Sequence, residues 1–406
     1  MKDPVRLQFV SGDANSNKYY NMDDLGNGWF LAAWGRQDST RSEKEYPISK
    51  WDSIYRQKIK KGYKDISDLK ITKQSVGIQP ISDSEIDSLL NELYAKSRQF
   101  SAQYYNIEAA ISTRQIDEAQ NKLNLMAKNI DDVTSPPDYL LRQFNTLLID
   151  VFTILPRKMK NVNSEKCHDL KDRPRILNRE QSLLDNLALH AVTPQTSSNT
   201  GQTFFDMYEF NMTKASQEEI DMVKERLQKE SGATLSRMWV CRKPSRDAAM
   251  EDFLKNNGLK NNKKNVKLYW HGSGVENIFS IAATGLQIRP TNVSYSGSAF
   301  GDGIYSGPKS NKSLNYTNSD YVNGKRVKYL FLNAVVMGNQ FDVNSNTDRL
   351  GNIRICDLDH NKFSQYNLGY HSVYAHASSS SYIRRDEAIV YNSEQVAARY
   401  LVEVFA

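Results

Sequence analysis

Apolar residues three and four positions apart dominate the middle of the chain. They run as Ile86, Leu89, Leu90 and Leu93, then Ile116, Ala119, Leu123 and Met126, then Leu140, Leu141, Phe144, Leu147, Leu148 and Val151. That spacing puts each set on one face of a helix. Ser82-x-x-Glu85 and Ser112-x-x-Gln115 have the form of a capping box, in which a hydroxyl and a Glu or Gln side chain satisfy each other's free backbone N–H groups. A third helix is expected to open after Pro136-Pro137 and to stop at Pro156, and a fourth to carry Leu183, Leu184 and Leu187. Such stripes build cores, so the zone from about Ser82 to Val192 is assigned no chemistry of its own. On either side the pattern changes. The run Trp29-Phe-Leu-Ala-Ala-Trp34 reads as a buried strand, and beyond the polar linker Thr193–Gly201 short apolar or alternating runs predict strands at Met238–Arg242, Val266–Trp270, Val327–Met337, Ala388–Tyr391 and Tyr400–Phe405. The pattern as a whole predicts an α+β chain in three zones.

A length of 406 residues is enough for two or three domains, and with 39% apolar and 25% charged residues the chain is neither collagen-like nor wholly disordered. Lys and Arg number 53 against 47 Asp and Glu. That excess is too small to make the whole surface attract nucleic acid, so any such site must be local. The stretch Lys50–Lys73, with eight basic residues against three acidic ones, is the place for it. Cys167, Cys241 and Cys356 stand far apart without a CxxC pair, which excludes a disulfide framework and a cysteine zinc site and predicts an intracellular chain. The longest apolar run, Leu147–Leu155, is short and interrupted by Asp150, so no membrane span is expected. The opening MKDPVRLQFV lacks the apolar core of a signal peptide.

The segment Leu268-Tyr-Trp-His-Gly-Ser-Gly274 places a histidine where a strand enters a tight turn. A dinucleotide fingerprint would need a third glycine at 277, which is Asn277. Taken alone, a histidine in a strand is usually a packed residue, and this segment by itself favours that reading of His271. Further along come Gly297-Ser-Ala-Phe-Gly-Asp-Gly-Ile-Tyr305, Lys312-Ser-Leu-Asn-Tyr316 and Asp386-Glu-Ala-Ile-Val-Tyr391. In this order, over about 120 residues, the four motifs resemble the catalytic domain of the poly(ADP-ribose) polymerases, and the triad that family calls H-Y-E falls on His271, Tyr305 and Glu387. Asn17-Lys-Tyr-Tyr20 followed by Trp34-Gly-Arg36 resembles the WGR domain of its DNA-dependent members. The segments Phe144 to Pro156 and Ile176 to Leu187 are similar to their helical regulatory domain.

The resemblance implies a WGR DNA-binding domain at 1–76, a helical regulatory domain at 77–192 and a mixed-sheet ADP-ribosyltransferase domain at 193–406. It implies transfer of ADP-ribose from NAD+ to acceptor proteins, the enzyme included, stimulated by DNA ends or nicks, with no metal and no membrane. The compartment would be the nucleus in a eukaryotic host, or cytoplasm and nucleoid in a bacterial one. Loss of a cationic nicotinamide passes through an oxocarbenium-like state, which a carboxylate can stabilise while it also accepts the proton of the attacking group. That role is Glu387's. Tyr305 and Tyr316 would stack on the nicotinamide, Gly272 and Ser313 would bind its carboxamide, and His271 and Ser273 the adenosine ribose. Trp34 and Arg36 would engage a DNA end, ring on sugar or base and guanidinium on phosphate. The chain also departs from the family. Ala299 and Ser298 stand on the acceptor side where larger groups are usual, Gln287 replaces an arginine near the adenine half, and Ser306-Gly307 follow the tyrosine in place of a Phe. Two alternatives therefore stay open: a mono-ADP-ribosyltransferase, and a DNA-end-binding scaffold with weak catalysis.

Overall fold

A computed structural model describes the chain except for residues 38, 68–77, 106–110, 133, 192–200, 289–298 and 378–382. Ser298 and the greater part of the polar linker lie outside the described residues. The chain groups into two compact units, residues 1–75 with 98–193, and residues 76–97 with 194–406.

The first unit joins a sheet to a helical bundle. Its five strands lie antiparallel in the order Ser42–Pro47, Trp29–Arg36, Ser16–Asp24, Val5–Ser11, Lys64–Asp65. Alternation along them turns Leu7, Tyr20, Met22, Phe30 and Ala32 to one face, where Trp51, at the start of the helix Trp51–Lys60, covers them. The helices Thr113–Asp131, Pro137–Ile154 and Arg173–Ala191 bury Leu123, Met126, Phe144, Leu148, Leu183 and Leu184, from the stripes read in the sequence. Ser112 and Gln115 form the expected capping box. Sheet and bundle meet at the loop after Ile154: Asn17 Nδ2 donates to the Arg157 carbonyl at 2.5 Å, and the Arg157 guanidinium is wholly buried against Glu180 at 2.5 Å.

The second unit is built on two sheets. In the larger, strands Asp320–Val322, Lys325–Val336, Val396–Phe405, Leu235–Arg242 and Asn211–Lys214 follow one another, and Val266–Gly272 pairs with the long strand over Leu330–Val336. The long strand is buried continuously from Tyr329 to Val336, because helices or a second layer cover both faces. In the smaller sheet the order is Gln340–Val343, Ser372–Ala375, Glu387–Val390, Ile304–Ser306, with only the first pair parallel. Residues 84–97 of the helix Ser84–Tyr104 also belong to this unit, where Tyr94 packs on Phe204 and Phe279 with ring centroids 5.1 Å away. Several expected bounds shift, among them Met238–Arg242, which opens at Leu235, and Tyr400–Phe405, which opens at Val396. The helix Ser84–Tyr104 is capped by Asp83, whose carboxylate accepts from the Glu85 and Ile86 N–H groups, so the cap stands one residue past Ser82. The strand expected at Ala388–Tyr391 is Glu387–Val390, because Ala375 pairs with Glu387 and draws it into the ladder.

Candidate active site

The strand Val266–Gly272 ends in His271, Gly272 and the turn at Ser273. The His271 Nδ1 lies 3.0 Å from the Tyr305 carbonyl oxygen. A carbonyl can only accept, so Nδ1 carries the proton and Nε2 is left with its lone pair, ready to accept from a hydroxyl. Burial holds the imidazole below its ordinary pKa, opposed by the bond to Tyr305, which keeps it neutral at neutral pH.

Tyr305 sits in the short strand Ile304–Ser306, opposite Ile389. Its hydroxyl donates to the Gly301 carbonyl at 2.7 Å and accepts from the Phe300 N–H at 2.9 Å, which holds the preceding turn. Gly301 has φ +81°, and a Cβ there would stand 2.1 Å from the Leu358 carbonyl oxygen, so only glycine fits. One step along the same pairing Ser306 lies opposite Ala388, the residue after Glu387.

Glu387 is half-hidden at the start of its strand, and its carboxylate is held by the Lys312 ammonium. Lys312 lies in the four-residue helix Ser310–Ser313, and the next residue, Ser313, donates from Oγ to the Trp270 carbonyl at 3.0 Å. Trp270 precedes His271. The contacts therefore form a closed ring through His271, Tyr305, the Ser306–Ala388 pair, Glu387, Lys312, Ser313 and Trp270. Gly272 is required by the same packing, because a Cβ there would meet the Ser313 carbonyl oxygen at 1.9 Å.

Of the residues expected in the site, the ring brings together His271, Tyr305, Ser313 and Glu387, with Gly272 packed against it. The Ser273 Oγ accepts from Asn277 Nδ2 at 3.2 Å. Tyr316 is 56% exposed at the end of the turn after Ser313, and the Lys312 ammonium stands over its ring, 5.8 Å from the centroid. Ala299 packs against the core that contains Phe300 and Ile389, and the Gln287 amide bonds the Thr284 carbonyl.

Sequence reading missed three residues. Lys312 stands inside a quoted motif, yet nothing local pairs it with a carboxylate so far along the chain. The other two lie behind the ring: the Glu230 carboxylate accepts from Trp270 Nε1 at 2.6 Å and from the Ser310 N–H at 2.9 Å, and Arg226 donates to the Leu268 and Pro308 carbonyls. Both come from a helix, Gln217–Glu230, that carries no motif.

Trp34 and Arg36 belong to the other unit. Trp34 is partly buried and stacks on Tyr20, with centroids 5.7 Å apart and planes at 20°. The Arg36 guanidinium donates to the Asn15 carbonyl at 3.0 Å and the Lys160 carbonyl at 3.2 Å.

A model of the poly(ADP-ribose) polymerase catalytic domain matches residues 217–405, a span that contains the whole ring. Two proteins of Invertebrate iridescent virus 6 are similar to the chain. One, uncharacterized protein 101L, is 30% identical over 46% of this chain and 76% of its own length. The other, a putative poly(ADP-ribose) polymerase-like protein, is 33% identical over 35% of this chain and 72% of its own length. The chain belongs to the poly(ADP-ribose) polymerase family. It is an NAD+ ADP-ribosyltransferase, and NAD+ is its substrate. Against poly(ADP-ribose) polymerase 1 of Caenorhabditis elegans the polymerase-family chain is 30% identical over 34% of its length, covering 16% of that protein. Against a protein mono-ADP-ribosyltransferase of Mus musculus it is 34% identical over 20% of its length and 14% of the other. Among the described residues no group of three His, Cys, Asp or Glu is placed to hold a metal, and no helix is long and apolar enough to cross a membrane.

Proposed function

We propose that this polymerase-family enzyme transfers ADP-ribose from NAD+ to protein side chains, its own included, extends the product into a polymer, and does so when it meets a DNA end or nick. The observation that carries the transfer is the closed ring, which holds one carboxylate, Glu387, and one neutral histidine acceptor, His271 Nε2, on two strands that each pair with the segment Ile304–Gly307. NAD+ supplies the glycosidic bond and the cationic leaving group. The exposed ring of Tyr316 receives the nicotinamide. The Ser313 hydroxyl has spent its proton on Trp270, so it meets the carboxamide NH2 as an acceptor. His271 Nε2 accepts from a ribose hydroxyl. Glu387, oriented by Lys312, faces the positive charge that grows as nicotinamide departs and takes the proton from the attacking hydroxyl.

Support for polymer formation is this carboxylate in ordered form; support for the mono reading is the small Ala299 on the acceptor side and the similarity to the mouse mono-transferase. Gel separation of products from labelled NAD+ decides between them: a ladder upholds the polymer, and a single shifted band replaces it with mono-transfer. DNA dependence is supported by the Trp34-Gly35-Arg36 motif and by the exposed Lys50, Arg56, Lys60 and Lys61 on and beside the helix Trp51–Lys60. It is tested by NAD+ consumption with and without nicked duplex, and equal rates would remove it.

A further inference from the structure

Arg226 and Glu230, the two residues behind the ring, stand in places that their own helix does not favour. Glu230 is the last residue of Gln217–Glu230, where the partial negative charge of a helix end opposes a carboxylate. An arginine four residues before a glutamate is also the weaker order for an ion pair along a helix. Both side chains are nevertheless largely buried. A pairing that the helix itself does not explain points to a purpose outside it.

Their partners show that purpose. Each nitrogen of the Arg226 guanidinium goes to a different segment: Nε to the Glu230 carboxylate at 2.9 Å, Nη1 to the Leu268 carbonyl at 3.1 Å and Nη2 to the Pro308 carbonyl at 3.3 Å. Glu230 Oε2 accepts at once from Trp270 Nε1 and from the Ser310 N–H. Leu268 and Trp270 belong to the strand that ends in His271, while Pro308 and Ser310 open the turn that carries Lys312 and Ser313. The pair therefore crosses the seam between strand and turn twice. The turn depends on this support. Its helix, Ser310–Ser313, is too short to hold itself together, and the residue at its cap, Lys309, provides no side-chain acceptor. Glu230 supplies that acceptor from another element, and Ser310 Oγ adds a bond to Ser231 Oγ at 2.9 Å.

We propose that Arg226 and Glu230 are positioning residues for the transfer: they clamp the turn of Lys312 and Ser313 to the strand of His271, and so fix the seat of nicotinamide against Glu387. The proposal rests on the reading that Ser313 and Tyr316 receive nicotinamide. It makes the helix Gln217–Glu230, which supplies no group to the ring, a determinant of NAD+ affinity.

The test uses the full-length protein, with steady-state NAD+ consumption, inhibition by added nicotinamide and thermal unfolding measured for each variant. Glu230→Ala is expected to raise the KM for NAD+ and the inhibition constant of nicotinamide together, each at least tenfold. Glu230→Gln keeps an oxygen for Trp270 or Ser310 but loses the charge that Arg226 grips, and both constants should fall between those of the parent and of Glu230→Ala. Arg226→Lys keeps the charge without the three-way fork and should raise both at least threefold. Combined with Glu230→Ala it should add little, since the same clamp is already broken. Val223→Ala, which opens a cavity at a buried position of the same helix, is the reference for lost stability: its unfolding temperature should fall while both constants stay within twofold of the parent. Should Glu230→Ala fail to fold, Glu230→Gln and Arg226→Lys carry the test on the same two constants. A nicotinamide constant that does not move in the Glu230 and Arg226 variants overturns the proposal. So does an equal rise in Val223→Ala, which would leave the pair a role in stability alone. Failure of the underlying reading looks different: if Ser313→Ala and Tyr316→Ala leave the nicotinamide constant unchanged, nicotinamide seats elsewhere and the proposal falls with that reading.

Discussion

At the scale of single residues the candidate site sets different demands on Glu387, Gly272 and His271. Glu387→Gln preserves shape and much of the hydrogen bonding but removes the negative charge and the base. Polymer synthesis is expected to fall by roughly 10²–10⁴-fold, measured as label incorporated from NAD+, and near-normal polymer would take Glu387 out of the mechanism. Gly272→Ala fails for a different reason: its Cβ must displace the Ser313 carbonyl, and with it the turn that carries Lys312 and Ser313. The KM for NAD+ should rise at least tenfold in steady-state assays while thermal unfolding changes little; an unchanged KM would show that the turn gives way freely. His271 sets a pH dependence. Its folded pKa is lowered by burial, so between the ordinary histidine value near ~6.5 and the lower folded value the unfolded chain binds a proton that the folded chain refuses. Stability should therefore decline as pH falls through that window, and His271→Gln should flatten the decline in denaturant titrations at stepped pH. Residue types were legible in the sequence wherever a short motif carried them, as with His271, Tyr305 and Glu387. The partner of Glu387 was not, because an ion pair between Lys312, in a short helix, and a strand far along the chain leaves no periodic trace.

At the scale of elements, periodicity located the four helices between residues 82 and 192, missed Gln217–Glu230 and Pro244–Asn256, and failed at the ends. Asp83 displaces Ser82 as the cap since either short polar side chain can reach the free N–H groups, and only the backbone geometry decides which does. Glu387 opens its strand although the apolar pattern begins at Ala388, because the pairing with Ala375 is made by backbone and does not consult the side chain. The strand at Val327–Met337 was readable from its apolar residues, although the polar Asn333 interrupts the run and is buried with it. The helix Ser84–Tyr104 offers a test of tertiary packing. Tyr94 wedges between Phe204 and Phe279, and Tyr94→Ala should destabilise the second unit by about 3 kcal/mol through the cavity it leaves. Chemical denaturation followed by tryptophan emission, which Trp239 and Trp270 of that unit report, would show it; a change under about 0.5 kcal/mol would mean that the helix end is dispensable.

At the scale of the whole molecule, composition shifts drew three zones, whereas the contacts draw two units and place the division inside one helix. No change of composition marks residue 97, because a helix can pass from one set of neighbours to another without altering its own stripe. A fragment cut near residue 193 would accordingly strip Tyr94 from Phe204 and Phe279, and DNA control is better probed in the complete chain. There Arg36→Ala is expected to weaken binding to nicked duplex and to reduce the salt slope by about one, while turnover without DNA is unchanged. Undiminished binding at physiological salt would leave Arg36 with the task the structure shows, fastening a strand end to the Asn15 and Lys160 carbonyls.

The ring around Glu387 has a consequence for the order in which a ribosome delivers it. The strand Ile304–Ser306 lies at the margin of its sheet, and its neighbour there is Glu387–Val390, made much later. While the chain is emerging, His271 and Tyr305 are already outside the tunnel, but the carboxylate and the strand that would seat Tyr305 are not. Until the strand Glu387–Val390 has been made, the ring lacks both its carboxylate and the partner that seats Tyr305.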